Sequence, residues 1–330
     1  MAMYALNEVK GMRLKMKKRV VILGGGTGMS SLLRGLKEFP LDITAIVSVC
    51  DDGKSTGEIR KEFNTPALGD IRKVLASLSE TEPLFEKMLN YRFQTKGSFN
   101  GHTVGNLLLV AMSEITGSVS NGIESLSNIL NLKGKVLPLT EESNNTLVAK
   151  MSDGKIVEGE HKITEYPSPI EEVWFKDKTE VNKETITAIK SADLIILSMG
   201  SLYTSVIPNI LCQEIKDAID SSKAKVLYVC NMMTQPGETD KYTVSDHVKV
   251  LNKYLGNKKI GVVVANNGYI SKTLARRYYT LEQKDPVKLD RDELKKLNIK
   301  LIDDNFVSIE DGLLRHNAIK VSSQIFSYLL

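Results

Sequence analysis

The sequence predicts an open α/β fold: a doubly wound, mostly parallel sheet with helices on both faces and a small β-rich insertion. Three observations carry this. Short apolar runs alternate with stretches of helical periodicity along the 330 residues. The runs are apolar throughout rather than alternately polar, as strands covered on both faces are. The first of them, Arg19-Val20-Val21-Ile22-Leu23, passes straight into glycines that open a helix.

The elements follow in order. After that first strand, residues 29–38 read as a helix, and Ile43 to Val49 is a second buried strand. Residues 70–79, 83–92, 104–116 and 120–130 carry apolar positions at helical spacing. Residues 135–180 are richer in Thr, Val, Glu and Gly. There Ser152-Asp153-Gly154-Lys155 stands between two β-prone runs, and Asp-Gly in that setting signals a hairpin. The stretch is read as a β-rich insertion or edge of the sheet, not as an independent domain. Asp193 to Leu197, Lys225 to Val229 and Ile260 to Ala265 are three more buried strands. Helices follow near 206–219, 243–255 and 270–279, and an amphipathic helix over 318–329 ends the chain. Residues 284–300 are charge-dense, which reads as a solvated face or loop. The expected organisation is a flexible basic leader over 1–19 and a single domain over 20–330.

Composition narrows the function. At 42% hydrophobic and 25% charged the chain is neither disordered nor a disulfide scaffold. Its net charge of +4 is located in the leader, where six cations face Glu8. The remainder sums to about −1, so no folded basic face for nucleic acid is expected. Cys50, Cys212 and Cys230 are widely spaced beside apolar runs, which suits free buried thiols in a reducing cytoplasm. No stretch is long and apolar enough for a membrane span, and no signal-peptide core is visible.

Five segments could carry chemistry. Gly24-Gly25-Gly26-Thr27-Gly28 lies between strand and helix, where bare amides and the helix dipole can approach a phosphate. The standard dinucleotide fingerprint is broken, because Met29 stands where a third small residue belongs. Asp51-Asp52-Gly53 follows the second strand. Gly53-Lys54-Ser55-Thr56 lacks the preceding glycine of a P-loop, since position 48 is Ser. Asp51 or Asp52 then suits ribose hydroxyls, Mg²⁺ or a plain polar turn. His102 and Asn106, four apart at a helix start, face either a site or the helix cap. Gly200, Ser201, Thr204 and Ser205 follow another strand and offer donors to an anion, with ordinary N-capping as the rival reading. Asn231 to Asp240, including Thr234, is long for a strand-to-helix connection. Four of these segments follow the carboxyl ends of parallel strands, which share one edge of the sheet. They offer phosphate and hydroxyl recognition without an evident nucleophile set.

These residues resemble the gluconeogenesis-factor branch of the 2-phospho-L-lactate transferase-like superfamily, over about residues 20–330. The resemblance rests on Gly24 to Gly28, Asp51-Asp52-Gly53, Pro66 to Arg72, Gly101-His102 to Leu109, Gly200 to Asn209 and Asn231 to Asp240. It implies a bacterial cytoplasmic protein of Rossmann-like fold that binds UDP-sugars, notably UDP-N-acetylglucosamine. It further implies a regulatory role in cell-wall precursor supply, cell shape and growth on gluconeogenic carbon sources. No cofactor is required on this reading, a regulatory protein partner and homo-oligomerisation are expected, and NAD would occupy the pocket only adventitiously. The transferase branch implies the alternative, transfer from a phospho-donor with Mg²⁺ on Asp51 or Asp52. The family's uridine-sugar contacts are a Tyr, matched by Tyr278 or Tyr279, and an Arg, matched by Arg315.

Overall fold

Twelve strands lie among the described residues. The structure, a computed structural model, describes residues 17–80, 83–310 and 312–330. The strands are β1 (Lys18–Gly24), β2 (Leu41–Val47), β3 (Lys135–Pro138), β4 (Leu147–Met151), β5 (Ile156–Glu158) and β6 (Ile170–Phe175). After them come β7 (Leu194–Leu197), β8 (Lys225–Val229), β9 (Ile260–Asn266), β10 (Lys300–Asp304), β11 (Val307–Glu310) and β12 (Leu313–His316). Seven form one sheet in the order β10-β9-β8-β7-β1-β2-β3. Every pairing in it is parallel.

The core follows from the two-residue period of a strand. Val20 and Ile22 of β1 enter one apolar layer, and Val21 and Leu23 enter the other. All four are buried, which is why the sequence reads as continuously apolar. The first strand, β1, lies inside the sheet. From β1 the chain builds outward to β2 and β3, then returns to the other side of β1 with β7, β8, β9 and β10. The order therefore reverses between β1 and β7, and the loops leaving these two strands diverge around a crevice.

Residues 147–175 form a separate antiparallel sheet of order β5-β4-β6. Its β4–β5 hairpin turns through Ser152 to Lys155, with Gly154 at φ 86°. The basic leader read over 1–19 lies outside the described residues as far as 16, and Lys18 and Arg19 already belong to β1. The continuous helix expected near 206–219 is instead three pieces. A wide turn spans Leu202–Val206, a tight one Ile207–Ile210, and a regular helix begins only at Gln213. Pro208 supplies no amide hydrogen, and the Asn209 side chain bonds the Ser205 carbonyl in place of the backbone. Helix Lys54–Phe63, not expected from the sequence, begins directly after Asp51-Asp52-Gly53. The charge-dense stretch 284–300 holds helix Arg291–Lys296 and opens edge strand β10. Among the described residues no helix is long and apolar enough to cross a membrane.

Candidate functional site

The crevice at the strand-order reversal opens into a cavity of about 690 Å³. Its wall includes Gly26, Thr27 and Gly28 after β1, Asp51 after β2, and Gly200, Ser201, Thr204 and Ser205 after β7. Asn231 and Thr234 after β8 complete this edge, and Tyr278 and Arg315 close the cavity from the far side. Segments distant in the chain thus meet along the carboxyl edge of the sheet.

Close backbone approach holds them there. Gly28 faces the Met199 carbonyl so tightly that a Cβ would overlap it. Gly26 has φ +68°, a left-handed conformation that glycine adopts without penalty. Asn209 Nδ2 donates to the carbonyls of Gly24 at 3.0 Å and Ser205 at 2.8 Å, binding the two crevice loops together. Asn231 Nδ2 donates to the Gly200 carbonyl at 2.8 Å and adds the loop after β8. Thr234 is tied to Asp285 by two bonds, Thr234 N to Asp285 O and Asp285 N to Thr234 Oγ1.

The cavity is chemically divided. On one side helix Gly26–Leu36 points its first turn at the space. The Gly26 amide is already taken, donating to Asp70 Oδ2 at 2.7 Å, and the same carboxylate pairs with Lys73 at 2.9 Å. Thr27 and Gly28 carry the neighbouring first-turn amides, which have no acceptor one turn back within the helix. Arg315, half-buried on β12, has no side-chain hydrogen bond or ion pair among the described residues. Lys284, also in the wall, is paired with Glu282 at 2.7 Å.

The other side is rich in acceptors. Ser201 Oγ donates to the buried carboxylate of Glu238 at 2.6 and 2.7 Å, and it lies 2.6 Å from Thr204 Oγ1. The expectation that these hydroxyls donate to a bound anion is corrected for Ser201, whose proton is spent on Glu238. Burial raises the Glu238 carboxyl above its ordinary range, against the pull of Ser201 and the Tyr203 amide. Burial also pushes the Glu160 carboxyl up to about 7, reinforced by the charge on Asp51 and opposed by a bond from Thr204. Asp51 accepts from the Gly53 amide at 2.8 Å and keeps its place in the wall. In the cavity wall beside Arg315, burial holds His316 down at about 4, so it is neutral, with a bond to the Cys230 carbonyl.

Several expected residues lie elsewhere. Gly24 and Gly25 sit behind the wall, Gly25 packed against the Asp70 carboxylate. Asp52 turns away and accepts from the His161 amide at 2.8 Å, starting helix Glu160–Glu165. Asp51 thus lines the cavity and Asp52 does not. Among the described residues no three His, Cys, Asp or Glu side chains gather as metal ligands. Asn106 is buried in the first turn of helix Val104–Thr116, away from the cavity. His102 bonds Ser55 Oγ at 3.0 Å and faces Glu58 at 3.3 Å, fastening helix Lys54–Phe63 to its neighbour outside the cavity. Tyr278 is buried, its hydroxyl accepting from the Leu314 amide at 2.7 Å, whereas Tyr279, about 100° further round the helix, is exposed. Cys50, Cys212 and Cys230 are free and buried.

Sequence reasoning missed Asp70, Glu160 and Asn209 as organisers of the site. Asp70 falls within the Pro66 to Arg72 run. Glu160 carries no local signal, because it reaches the cavity only through the packing of the β-rich stretch.

The chain is similar to known proteins over most of its length. Residues 20–307 match the family model described as 2-phospho-L-lactate transferase CofD. The gluconeogenesis factor of Halalkalibacterium halodurans is 46% identical over 310 residues, covering 94% of this chain and 96% of that one. The gluconeogenesis factor of Bacillus subtilis is 44% identical, covering 95% and 98%. An X-ray crystal structure of a Bacillus halodurans protein superposes with a TM-score of 0.90 at 46% identity, covering 94% of this chain and 99% of that one.

Proposed function

The chain belongs to the 2-phospho-L-lactate transferase CofD family, among relatives named gluconeogenesis factor, and from that premise we propose that it is a cytoplasmic regulatory protein that binds a UDP-sugar. UDP-N-acetylglucosamine is the foremost ligand. The protein reports that pool to a protein partner, and so balances cell-wall precursor supply and cell shape during growth on gluconeogenic carbon.

The observation that carries this reading is the division of the cavity. The Thr27 and Gly28 amides and the unpaired Arg315 suit a diphosphate. Asp51, Glu160 and Thr204 suit the hydroxyls of a sugar and ribose, which are hydrogen-bond donors. Tyr278 offers an apolar ring beside Arg315 for a base or an acetamido group. A volume of about 690 Å³ lies within the usual range for small-molecule sites.

Calorimetry tests it. UDP-N-acetylglucosamine is expected to give saturable heat with one site per chain. Arg315→Ala is expected to weaken binding by about 1.5–3 kcal/mol, roughly 10- to 150-fold, as for a charge-assisted contact to phosphate. No heat at saturating ligand, with NAD and UDP-glucose equally silent, refutes the reading. Unchanged affinity in Arg315→Ala removes that residue from the site.

A further inference from the structure

Outside the cavity wall a hydroxyl, an imidazole and a carboxylate stand in line. Ser55 Oγ lies 3.0 Å from His102 Nδ1, and His102 Nε2 lies 3.3 Å from a Glu58 carboxylate oxygen. An ionised carboxylate only accepts, so Glu58 holds the ring proton on Nε2. Nδ1 then carries the lone pair and faces the Ser55 hydroxyl as its acceptor. A nucleophile, a base and a group that orients the base is the arrangement that activates a serine, here with the two ring nitrogens exchanged relative to the usual order. Its members are 47 residues apart in the chain, which hid them from the sequence. The backbone of His102 is fixed on both sides: its amide donates to the Phe99 carbonyl at 3.1 Å, and its carbonyl accepts from the Phe93 amide at 3.0 Å. Ser55 is half-buried in the first turn of helix Lys54–Phe63. The Ser55 and Thr56 amides have no acceptor one turn back within that helix, so donors for an oxyanion lie beside the hydroxyl.

We propose that Ser55, His102 and Glu58 form an esterase site, separate from the cavity, for uncharged esters of an apolar acyl group. Ser55 Oγ attacks the acyl carbonyl carbon while His102 Nδ1 takes its proton. The tetrahedral intermediate collapses, the ester C–O bond breaks, and His102 returns the proton to the leaving alcohol. Water then attacks the acyl-serine with His102 again as base, releasing the carboxylic acid and restoring the hydroxyl. Ser55 is the nucleophile and His102 the base, and Glu58 is a positioning residue. The surroundings select an uncharged substrate. Glu58, with Asp51 and Asp52 just before the helix, repels a phosphate donor. The nearby guanidinium groups are engaged, Arg92 on the Gly101 carbonyl and Arg60 on the carbonyls of Ser143 and Asn145. Lys61 and Glu62, further along the helix, carry opposite charges. The loop that leads into His102 offers apolar surface, with Phe99 58% exposed and its ring centre 6.0 Å from that of Phe93.

Labelling of the full chain with diisopropyl fluorophosphate tests the proposal without any nucleotide, so it stands apart from the UDP-sugar reading. The probe is uncharged and small, and an activated serine oxygen displaces its fluoride to form a stable P–O bond. Peptide mass spectrometry is expected to place the label on Ser55 in the native protein and to find none there after denaturation. His102→Gln is expected to slow labelling roughly 100-fold, the scale of general-base assistance, with circular dichroism showing the fold retained. Hydrolysis of p-nitrophenyl acetate is expected to fall in parallel in Ser55→Ala and His102→Gln. Glu58→Gln removes the charge that favours the imidazolium, so the pH midpoint of labelling is expected to move down. A native Ser55 left unlabelled under conditions that label a serine esterase to completion overturns the proposal. Labelling of Ser55 at an unchanged rate in His102→Gln also overturns it, and a pH midpoint unmoved in Glu58→Gln overturns the role of Glu58.

Discussion

Replacing Glu160 with glutamine should stabilise the protein, and by an amount that depends on pH. In the fold the Glu160 carboxyl is pushed up to about 7 by burial and by Asp51, against 4.5 for an ordinary glutamate. Below pH 4.5 the group is protonated in both states and costs nothing. Between pH 4.5 and 7 the folded state holds a proton that the unfolded chain has released, so stability falls as pH rises through this window. Above pH 7 the full cost applies, about 3 kcal/mol, since each tenfold change in proton affinity is worth about 1.4 kcal/mol. The Glu160→Gln substitution keeps the size and the hydrogen-bonding capacity of the side chain and removes its charge. Urea unfolding of both proteins from pH 4.5 to 8 measures the difference at each step. The stability gap is expected to be near zero at the acid end and to widen to about 3 kcal/mol in favour of the variant at the alkaline end. A gap that stays flat with pH, or a variant less stable at pH 8, refutes the reasoning.

Further outcomes follow from neighbouring contacts. Gly28→Ala forces a Cβ into the Met199 carbonyl, so it should cost about 1–3 kcal/mol of unfolding free energy and weaken UDP-N-acetylglucosamine binding as the crevice loops part; chemical denaturation and calorimetry check both. His316 acts oppositely to Glu160: burial holds it at about 4 against 6.5 unfolded, so stability is full above pH 6.5 and is lost as pH falls toward 4. His316→Gln should flatten that acid limb in the same urea series. Burial pushes the Cys230 thiol up to about 12 and Cys212 up to about 11, so thiol reagents should label neither until denaturant is added, as mass spectrometry of the labelled protein would show.

The sheet was legible because its strands are covered on both sides. Runs such as Val20 to Leu23 and Leu194 to Leu197 have no polar alternation to confuse them with half-exposed strands. The glycine turn was legible because strand and helix bracket it. Less visible was what depends on the fold bringing remote groups together. That Asp70 would take the Gly26 amide depends on a contact across 44 residues, and that Ser201 would give its proton to Glu238 on one across 37. The orientation of Asp52 was hidden for the same reason, since its acceptor duty to His161 spans 109 residues. Tyr278 and Tyr279 are chemically alike in sequence. Only the helix phase, with Tyr278 beneath β12, separates them. Near Pro208 the periodicity misled, because apolar spacing is shared by a regular helix and by the irregular turns that replace it.

The position of β1 has a consequence for how the protein is made. It ends at Gly24, yet one of its two neighbours, β7, begins only at Leu194. At elongation speeds of about 5–20 residues per second, the ribosome needs roughly 10–35 s to supply that partner. Through this interval the central strand has β2 on one flank and an unpaired edge on the other, the kind of surface that chaperones shield. The crevice, which lies between those same two strands, can take shape only after β7 and the loop beyond it have emerged.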